Sequence, residues 1–299
     1  MTANDCFFYT HSPHGRRVKA FFLWLWLLAG LLPLPASAAA VYAQTPPEDF
    51  PVVLRWTILD VEEGDAMLVE CGGESLLVDG GPWAYRDRLR IHLAQAGYLH
   101  LNRVVNTHYH DDHIDGLYDL FQQGFTADSY QHGYSPEALA RNQRGQRTAR
   151  AAAAAGAQVS RIRHGDSFAL GSAQVQVYQC TAVDNTNARS LLLRITCGDT
   201  ALLLCADVTG AAQHWFVDNL PQGALWADVV KLPHHGITPA VTGFLDAINP
   251  GGLVITNRPD RIEPASQSQL DYRGLPVWFS GLGTVYAVTD GHCWYVWQE

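Results

Sequence analysis

Arg103-Val104-Val105-Asn106-Thr107-His108-Tyr109-His110-Asp111-Asp112-His113 sets three imidazoles and two carboxylates within six residues, directly behind an apolar run that reads as a buried strand. Neutral imidazole nitrogen and carboxylate oxygen suit Zn²⁺, Mn²⁺ or Fe²⁺, and a strand end opening into a loop lets side chains two and four residues apart converge on one or two ions. The other reading is a solvated polar turn. Against it, Ile114 to Phe121 resume a helical apolar pattern at once, and a merely polar turn has no need of three histidines.

Upstream, Ile58-Leu59-Asp60-Val61-Glu62-Glu63-Gly64-Asp65-Ala66 leads to Leu76-Leu77-Val78-Asp79-Gly80-Gly81. Downstream stand Asn187-Ala188-Arg189-Ser190-Leu191-Leu192-Leu193-Arg194, then Leu202-Leu203-Leu204-Cys205-Ala206-Asp207, then Asp228-Val229-Val230-Lys231-Leu232-Pro233-His234-His235-Gly236. In this order the blocks resemble the metallo-β-lactamase superfamily, and within it the ComEC-type branch, the hydrolase domain of DNA-uptake competence proteins and their exported stand-alone relatives. The resemblance spans roughly residues 52–298 and implies an α/β layered fold, an αββα sandwich of two similar halves. It also implies a dinuclear site. His108 and His110 would serve one ion, Asp112 and His113 the other, and Asp207 both. His234 is favoured to complete the second site, with His235 orienting a ligand or meeting the leaving group, or the two exchanged; the catalytic roles fall to Asp112, Asp207 and His235. Asp79 would lie beneath, steadying the metal loop. Two divalent ions, zinc first and manganese or iron as alternatives, would acidify a shared water and polarise the bond under attack. Asp207 can also be read as a helix N-cap, and Asp111 as a proton-transfer group or a solvated loop acid.

Three departures from the branch pattern bear on substrate. A further histidine expected before the Asn-x-x-Ser block is replaced by Val177-Tyr178-Gln179-Cys180-Thr181, so that Cys180 as a thiolate, His164 or Asp184 would have to serve; a structural cysteine is the plainer reading. Glu62-Glu63 stands where relatives show Gly-Gln, and Asn257-Arg258-Pro259 lacks a histidine before its proline. Arg141, Arg144 and Arg147 recur every three residues, with Arg150, Arg161, Arg163 and His164 nearby in sequence, and offer a cationic lip for phosphate or carboxylate, the alternative being a solvated helix face. Trp83, Tyr85 and Tyr109 are candidates for stacking or simple packing.

The chain opens with Arg16, Arg17 and Lys19, an apolar run from Phe21 to Leu34, and Ala36-Ser37-Ala38, the order of a secretory signal peptide. The expected organisation is a signal peptide over 1–38, with cleavage as late as 43, a linker over 39–51 and a hydrolase domain over 52–298, exported to the periplasm or secreted. An uncleaved membrane anchor is the rival, if Pro33 and Pro35 are tolerated within a span. The twin arginines hint only faintly at twin-arginine export. The whole chain carries −9; loss of three cations and Asp5 with the leader makes it −11, and Lys231 is the sole lysine thereafter. Such acidity counts against a protein that coats or threads long duplex DNA and directs attention to short or small phosphodiesters. Five cysteines remain after the leader, an odd number without the density of a disulfide scaffold.

Periodicity predicts strands near 52–60, 66–71, 74–79 and before His108, helices near 84–96 and 113–122, a strand near 127–131, and one helix from Pro136 to about Ala155. A strand-rich second half with two helices follows. Leu68 to Val78 and Arg194 to Leu204 align without a gap, each with Cys-Gly at the turn, a faint internal repeat. The function expected is metal-dependent hydrolysis of a phosphodiester or phosphate ester. A lactamase or lactonase acting on C–N or carboxylic ester bonds is the second enzymatic reading, and a non-catalytic, metal-stabilised envelope binding protein the third.

Overall fold

A computed structural model of the chain describes residues 39–299. The predicted signal peptide, the alternative membrane anchor and the twin arginines lie outside the described residues. In chain order the elements are β1 (Ala40–Tyr42), β2 (Leu54–Ile58), β3 (Met67–Cys71), β4 (Glu74–Val78), α1 (Arg86–Gln95), β5 (His100–Asn106), α2 (Asp111–Gln122), β6 (Thr126–His132), α3 (Pro136–Arg141), α4 (Gln143–Ala154) and β7 (Gln158–Arg161). The second half comprises β8 (Ser167–Leu170), β9 (Ala173–Gln179), β10 (Leu191–Cys197), β11 (Thr200–Leu204), α5 (Gly210–Asn219), β12 (Val229–Lys231), α6 (Thr242–Ile248), β13 (Gly252–Ile255), α7 (Pro264–Arg273), β14 (Val277–Phe279), β15 (Val285–Thr289) and β16 (Cys293–Gln298).

The strands make two sheets, ordered β1-β16-β15-β2-β3-β4-β5-β6-β7 and β14-β13-β12-β11-β10-β9-β8. The period-2 alternation of each strand sorts its side chains between two layers. Met67, Val69, Leu76 and Val78 of the first sheet meet Leu193, Ile195, Leu202 and Leu204 of the second in a central core. Their neighbours Leu68 and Leu77 point the other way, onto Leu89 of α1 and Leu117 and Leu120 of α2. Leu192 and Leu203 likewise face Phe216 of α5 and Phe244 and Leu245 of α6. This is the expected αββα sandwich, apolar on both faces of both sheets because both are covered.

Local differences from the sequence reading have plain causes. The single helix expected over 136–155 is broken at Asn142, which leaves helical backbone and caps α4 by accepting from Gly145 N at 2.7 Å. The second half holds three helices rather than two: α7 begins at a proline and ends on left-handed Gly274. Within the stretch read as a linker, Ala40–Tyr42 pairs parallel with Cys293–Tyr295 as an edge strand.

Candidate metal centre

The site forms where β4, β5, β11 and β12 end and their loops meet. Asp79, the residue after β4, has left-handed backbone (φ 56) and a fully occupied carboxylate. Its Oδ1 accepts from Asn106 Nδ2 at 2.7 Å and Thr107 N at 2.8 Å, and its Oδ2 from Thr107 Oγ1 at 2.6 Å. Oδ2 also meets His113 Nδ1 at 2.8 Å. The start of α2 can come this close because Gly116 lies against Gly80, where a Cβ would overlap the Gly80 carbonyl oxygen.

These contacts set the histidine tautomers. An ionised Asp79 only accepts, so His113 carries its proton on Nδ1. Thr107 Oγ1 gives its one hydrogen to Asp79 and accepts from His108 Nδ1 at 3.1 Å. Thr256 Oγ1 gives its hydrogen to Asp65 at 2.7 Å and accepts from His235 Nδ1 at 2.9 Å. All three rings present Nε2 to Asp207, and a bound ion would find its donors there. Asp207 Oδ1 lies 3.2 Å from His113 Nε2 and 3.3 Å from His235 Nε2; its Oδ2 lies 3.5 Å from His108 Nε2. Asp112 Oδ2 stands 3.1 Å from His235 Nε2.

Two donor groups result, Asp112-His113-Asp207-His235 and His108-His110-Asp207, with Asp207 common to both. The donors of each group come within 4.8 Å of one another. His108 Nε2 and Asp207 Oδ1 are buried without a hydrogen-bond partner. Buried polar atoms are seldom left so, and His113 Nε2 and His235 Nε2 face each other at 3.2 Å; imidazoles and carboxylates converging on one shared Asp207 fit a pair of divalent ions. The electrostatics agree. Burial opposes charge on His113, yet Asp207, Asp79 and Asp65 outweigh it and hold the ring near pKa 10. Burial likewise opposes charge on His235, where Asp207 overcomes it and raises the pKa well above the usual value. The pocket field favours positive charge, which divalent cations would supply. Burial and the neighbouring His113 instead lower His108, keeping it a neutral donor.

Beneath the donors, Lys231 is buried with Nζ 2.7 Å from Asp65 Oδ2, and it donates to Ala206 O at 2.8 Å. His234 N donates to the same carbonyl at 2.8 Å. Ala206, His234 and His235 all have left-handed backbone, at φ 44, 49 and 53. Such strain persists only where surrounding contacts hold it, as they do here on both sides of Asp207.

The structure corrects several expectations. His235, not His234, joins the Asp112-His113 group; the turn aims the His234 ring aside, with Nε2 3.3 Å from Asn187 Nδ2. Cys180 belongs to no donor group. It is packed among Ala188, Leu192 and Leu203 beneath α5, which agrees with the structural reading. Nor do His164 and Asp184 reach the site: His164 Nδ1 accepts from Gln179 N and its ring packs on Trp215, while Asp184 pairs with Arg189. Asp207 is not a helix cap, because α5 starts after Thr209. Asp111 is exposed and pairs with Arg144 at 3.3 Å. Trp83 and Tyr85 carry the guanidinium groups of Arg86 and Arg88, away from the donors.

A cavity of about 720 Å³ opens beside His108, lined among others by Tyr109, Tyr134, Arg141, Gln179, Arg161 and Arg189. Of the arginine stripe only Arg141 lines it. Arg144 and Arg147 turn back to Asp115 on α2, so these two belong to neither a lip nor a freely solvated face. The sequence reading missed the roles of Asp65, Lys231, Thr256 and Arg189, while Arg161, read as a neighbour of the cationic stripe, does line the cavity. An acid in the otherwise apolar Ala66-Met67 approach, and the only lysine after the leader, were the available signals for the first two.

The metallo-beta-lactamase superfamily model matches residues 59–250. The chain belongs to this superfamily. Among solved structures, CmlA, a diiron beta-hydroxylase from Streptomyces venezuelae, aligns with TM-score 0.51 and 12% identity over 82% of this chain and 55% of its own. YhfI, a metallo-beta-lactamase fold protein from Bacillus subtilis, gives 0.49 and 13% over 76% and 96%. A diphosphatase of the PhnP family gives 0.47 and 14% over 77% and 96%. At these identities the likeness to metallo-beta-lactamase superfamily structures concerns the fold alone. Comparison with curated proteins finds no match. Among the described residues no helix is long and apolar enough to cross a membrane.

Proposed function

We propose that this superfamily member is an exported, metal-dependent hydrolase of small or short phosphodiesters or phosphate esters, of the ComEC-type branch. The observation that carries the substrate class is the cavity beside His108. Arg141, Arg161 and Arg189 line it together with only two acids, Glu137 and Asp184, on a chain of net charge −9. Neither Arg141 nor Arg161 has an ion pair within 4.0 Å among the described residues, and Arg161 Nε is buried without a partner. Guanidinium forks left free in a cavity are suited to a phosphoryl group, which they bind through paired charge-assisted hydrogen bonds.

His108, His110, Asp112, His113, Asp207 and His235 would hold two divalent ions, zinc by preference with manganese or iron as alternatives. When bound, such ions acidify water and polarise the phosphorus–oxygen bond under attack. The chain's own residues do the rest. Asp79, Thr107 and Thr256 lock the three rings with Nε2 forward; Lys231 and Asp65 keep the Asp207 loop from relaxing. Arg141 and Arg161 orient the anionic substrate from the cavity side. His234, half-buried at the margin beside Asn187, is placed to meet a leaving group.

The test is turnover of phosphodiesters, lactams and lactones by purified, metal-loaded protein, with Arg141→Ala and Arg161→Ala beside the parent. Loss of one charge-assisted contact of about 1.4 kcal/mol raises KM for an anionic phosphodiester roughly tenfold and leaves a neutral ester little changed. Lactam or lactone turnover without phosphodiester turnover makes the carboxyl-type hydrolase the correct reading. Stoichiometric metal with no turnover of any class favours a binding protein. Tight, salt-sensitive binding of long DNA overturns the preference for short substrates.

A further inference from the structure

The internal repeat has a consequence that hydrolysis does not use. Its two Cys-Gly turns, Cys71-Gly72-Gly73-Glu74 and Cys197-Gly198-Asp199-Thr200, join β3 to β4 in one sheet and β10 to β11 in the other. Each turn rests on a hairpin of the opposite sheet. Gly72 lies against Gly171 in the β8–β9 turn, and Gly171 N donates to Glu74 Oε2 at 3.1 Å. Gly198 lies against Gly291 in the β15–β16 turn, whose carbonyl accepts from Asp199 N at 2.7 Å. The same arrangement occurring twice places the two repeat cysteines at the join between the halves.

Both thiols point inward. Cys71 and Cys197 are 2% and 3% exposed and belong to the one core cluster that lies between the sheets. Cys71 Sγ is 3.4 Å from Ser172 Oγ, and Cys71 and Ser172 are the side chains with most effect on the Cys197 thiol. The two thiols share Ser172 as a neighbour and come from facing sheets, each on a well-braced hairpin, an approach from which a disulfide can form. Cys180 and Cys205 lie in the other, helix-facing layer, and Cys293 is on β16.

We infer that Cys71 and Cys197 form a disulfide joining the two sheets of the sandwich when the chain folds in an oxidising compartment. The oxidant is a small-molecule disulfide. One cysteine thiolate attacks it and expels one thiolate, giving a mixed disulfide. The second cysteine, deprotonated, attacks that sulfur and expels the other thiolate. The two released protons end on the two small thiols, and the two cysteines are oxidised together. Burial pushes the Cys197 thiol up to about 11, so exchange in the folded protein is slow and the bond is made during folding. The ring closed between residues 71 and 197 is long, which favours a large gain in stability.

The full chain is refolded with a mixture of oxidised and reduced glutathione, alkylated under denaturing conditions, digested without reduction and mapped by mass spectrometry. A Cys71–Cys197 linked peptide is expected in most molecules. Melting of that material should fall by roughly 5–10 °C on reduction, and Cys71→Ser and Cys197→Ser should each abolish the dependence on reductant. Full alkylation of both thiols after oxidative refolding overturns the inference, as does linkage of either to any other cysteine. The peptide map needs no variant, so poor folding of either serine form does not obscure the result.

Discussion

His235 decides between two neighbours that composition cannot separate. Its backbone and that of His234 are both left-handed, so adjacent rings leave the chain in different directions: one onto Asp112 and Asp207, the other toward Asn187. Elemental analysis after reconstitution should find close to two ions per chain in the parent and about one in His235→Ala, with His234→Ala unchanged in metal content. Equal loss in both variants would mean that the turn rearranges when loaded. Cys180→Ala should also keep its metal, since the thiol sits in an apolar layer. Asp112→Ala should abolish hydrolysis while leaving the fold intact, because a metal donor is removed without emptying a core.

The pair of helices α2 and α4 shows the same separation at the level of elements. Asp115 on α2 receives Arg144 and Arg147 from α4, and Arg147 also lies 4.7 Å over the Tyr118 ring. Arg147→Ala leaves a nearly buried carboxylate with Arg144 alone and should cost about 1 kcal/mol of stability, read by chemical denaturation, with KM for phosphodiester little altered. Arg141→Ala should show the reverse. At the end of β6, His132 accepts from Tyr134 N through Nδ1 at 3.3 Å and stacks on the Tyr134 ring. Burial, aided by Arg161, lowers its pKa from 6.5 to about 4. The native state therefore declines a proton that the unfolded chain takes between those values. Its contribution is whole above pH 6.5 and is lost as pH falls toward 4, by up to roughly 3 kcal/mol. His132→Asn keeps an acceptor without titrating, and its stability should fall less steeply over that window than the parent's; parallel curves would refute the assignment.

Across the whole molecule, four carboxylates, Asp65, Asp79, Asp112 and Asp207, are gathered at one end of the sandwich around a single lysine and the site histidines. Such a concentration of negative charge in a water-poor site is tolerable with cations present and costly without them. Chelation should therefore lower the melting temperature by several degrees at pH 7.5, with recovery on adding Zn²⁺ or Mn²⁺. A melting temperature indifferent to chelator would show that Lys231 and protonated histidines suffice to balance the site.

Apolar periodicity and turn residues placed most strands and helices along the chain, because burial on both sheet faces leaves a local imprint, and the resemblance of the ordered motif blocks implied the αββα architecture. His108, His110, Asp112 and His113 drew attention by their density in one stretch, while Asp207 entered through the resemblance; the fold gathers their donors in two groups. Tertiary structure alone decided which ring of His234-His235 turns inward, since that depends on two left-handed residues held by a carbonyl shared with Lys231. It alone added Arg189 to the cavity that Arg141 and Arg161 line, while tying Arg144 and Arg147 to Asp115. It also brought Glu62 within 3.9 Å of Arg258 and 3.6 Å of Arg261, so that two separate departures from the branch pattern face each other as one ion-paired wall. Spacing along a chain records which face of an element a residue occupies; what stands opposite that face is decided only when the sheets and helices pack.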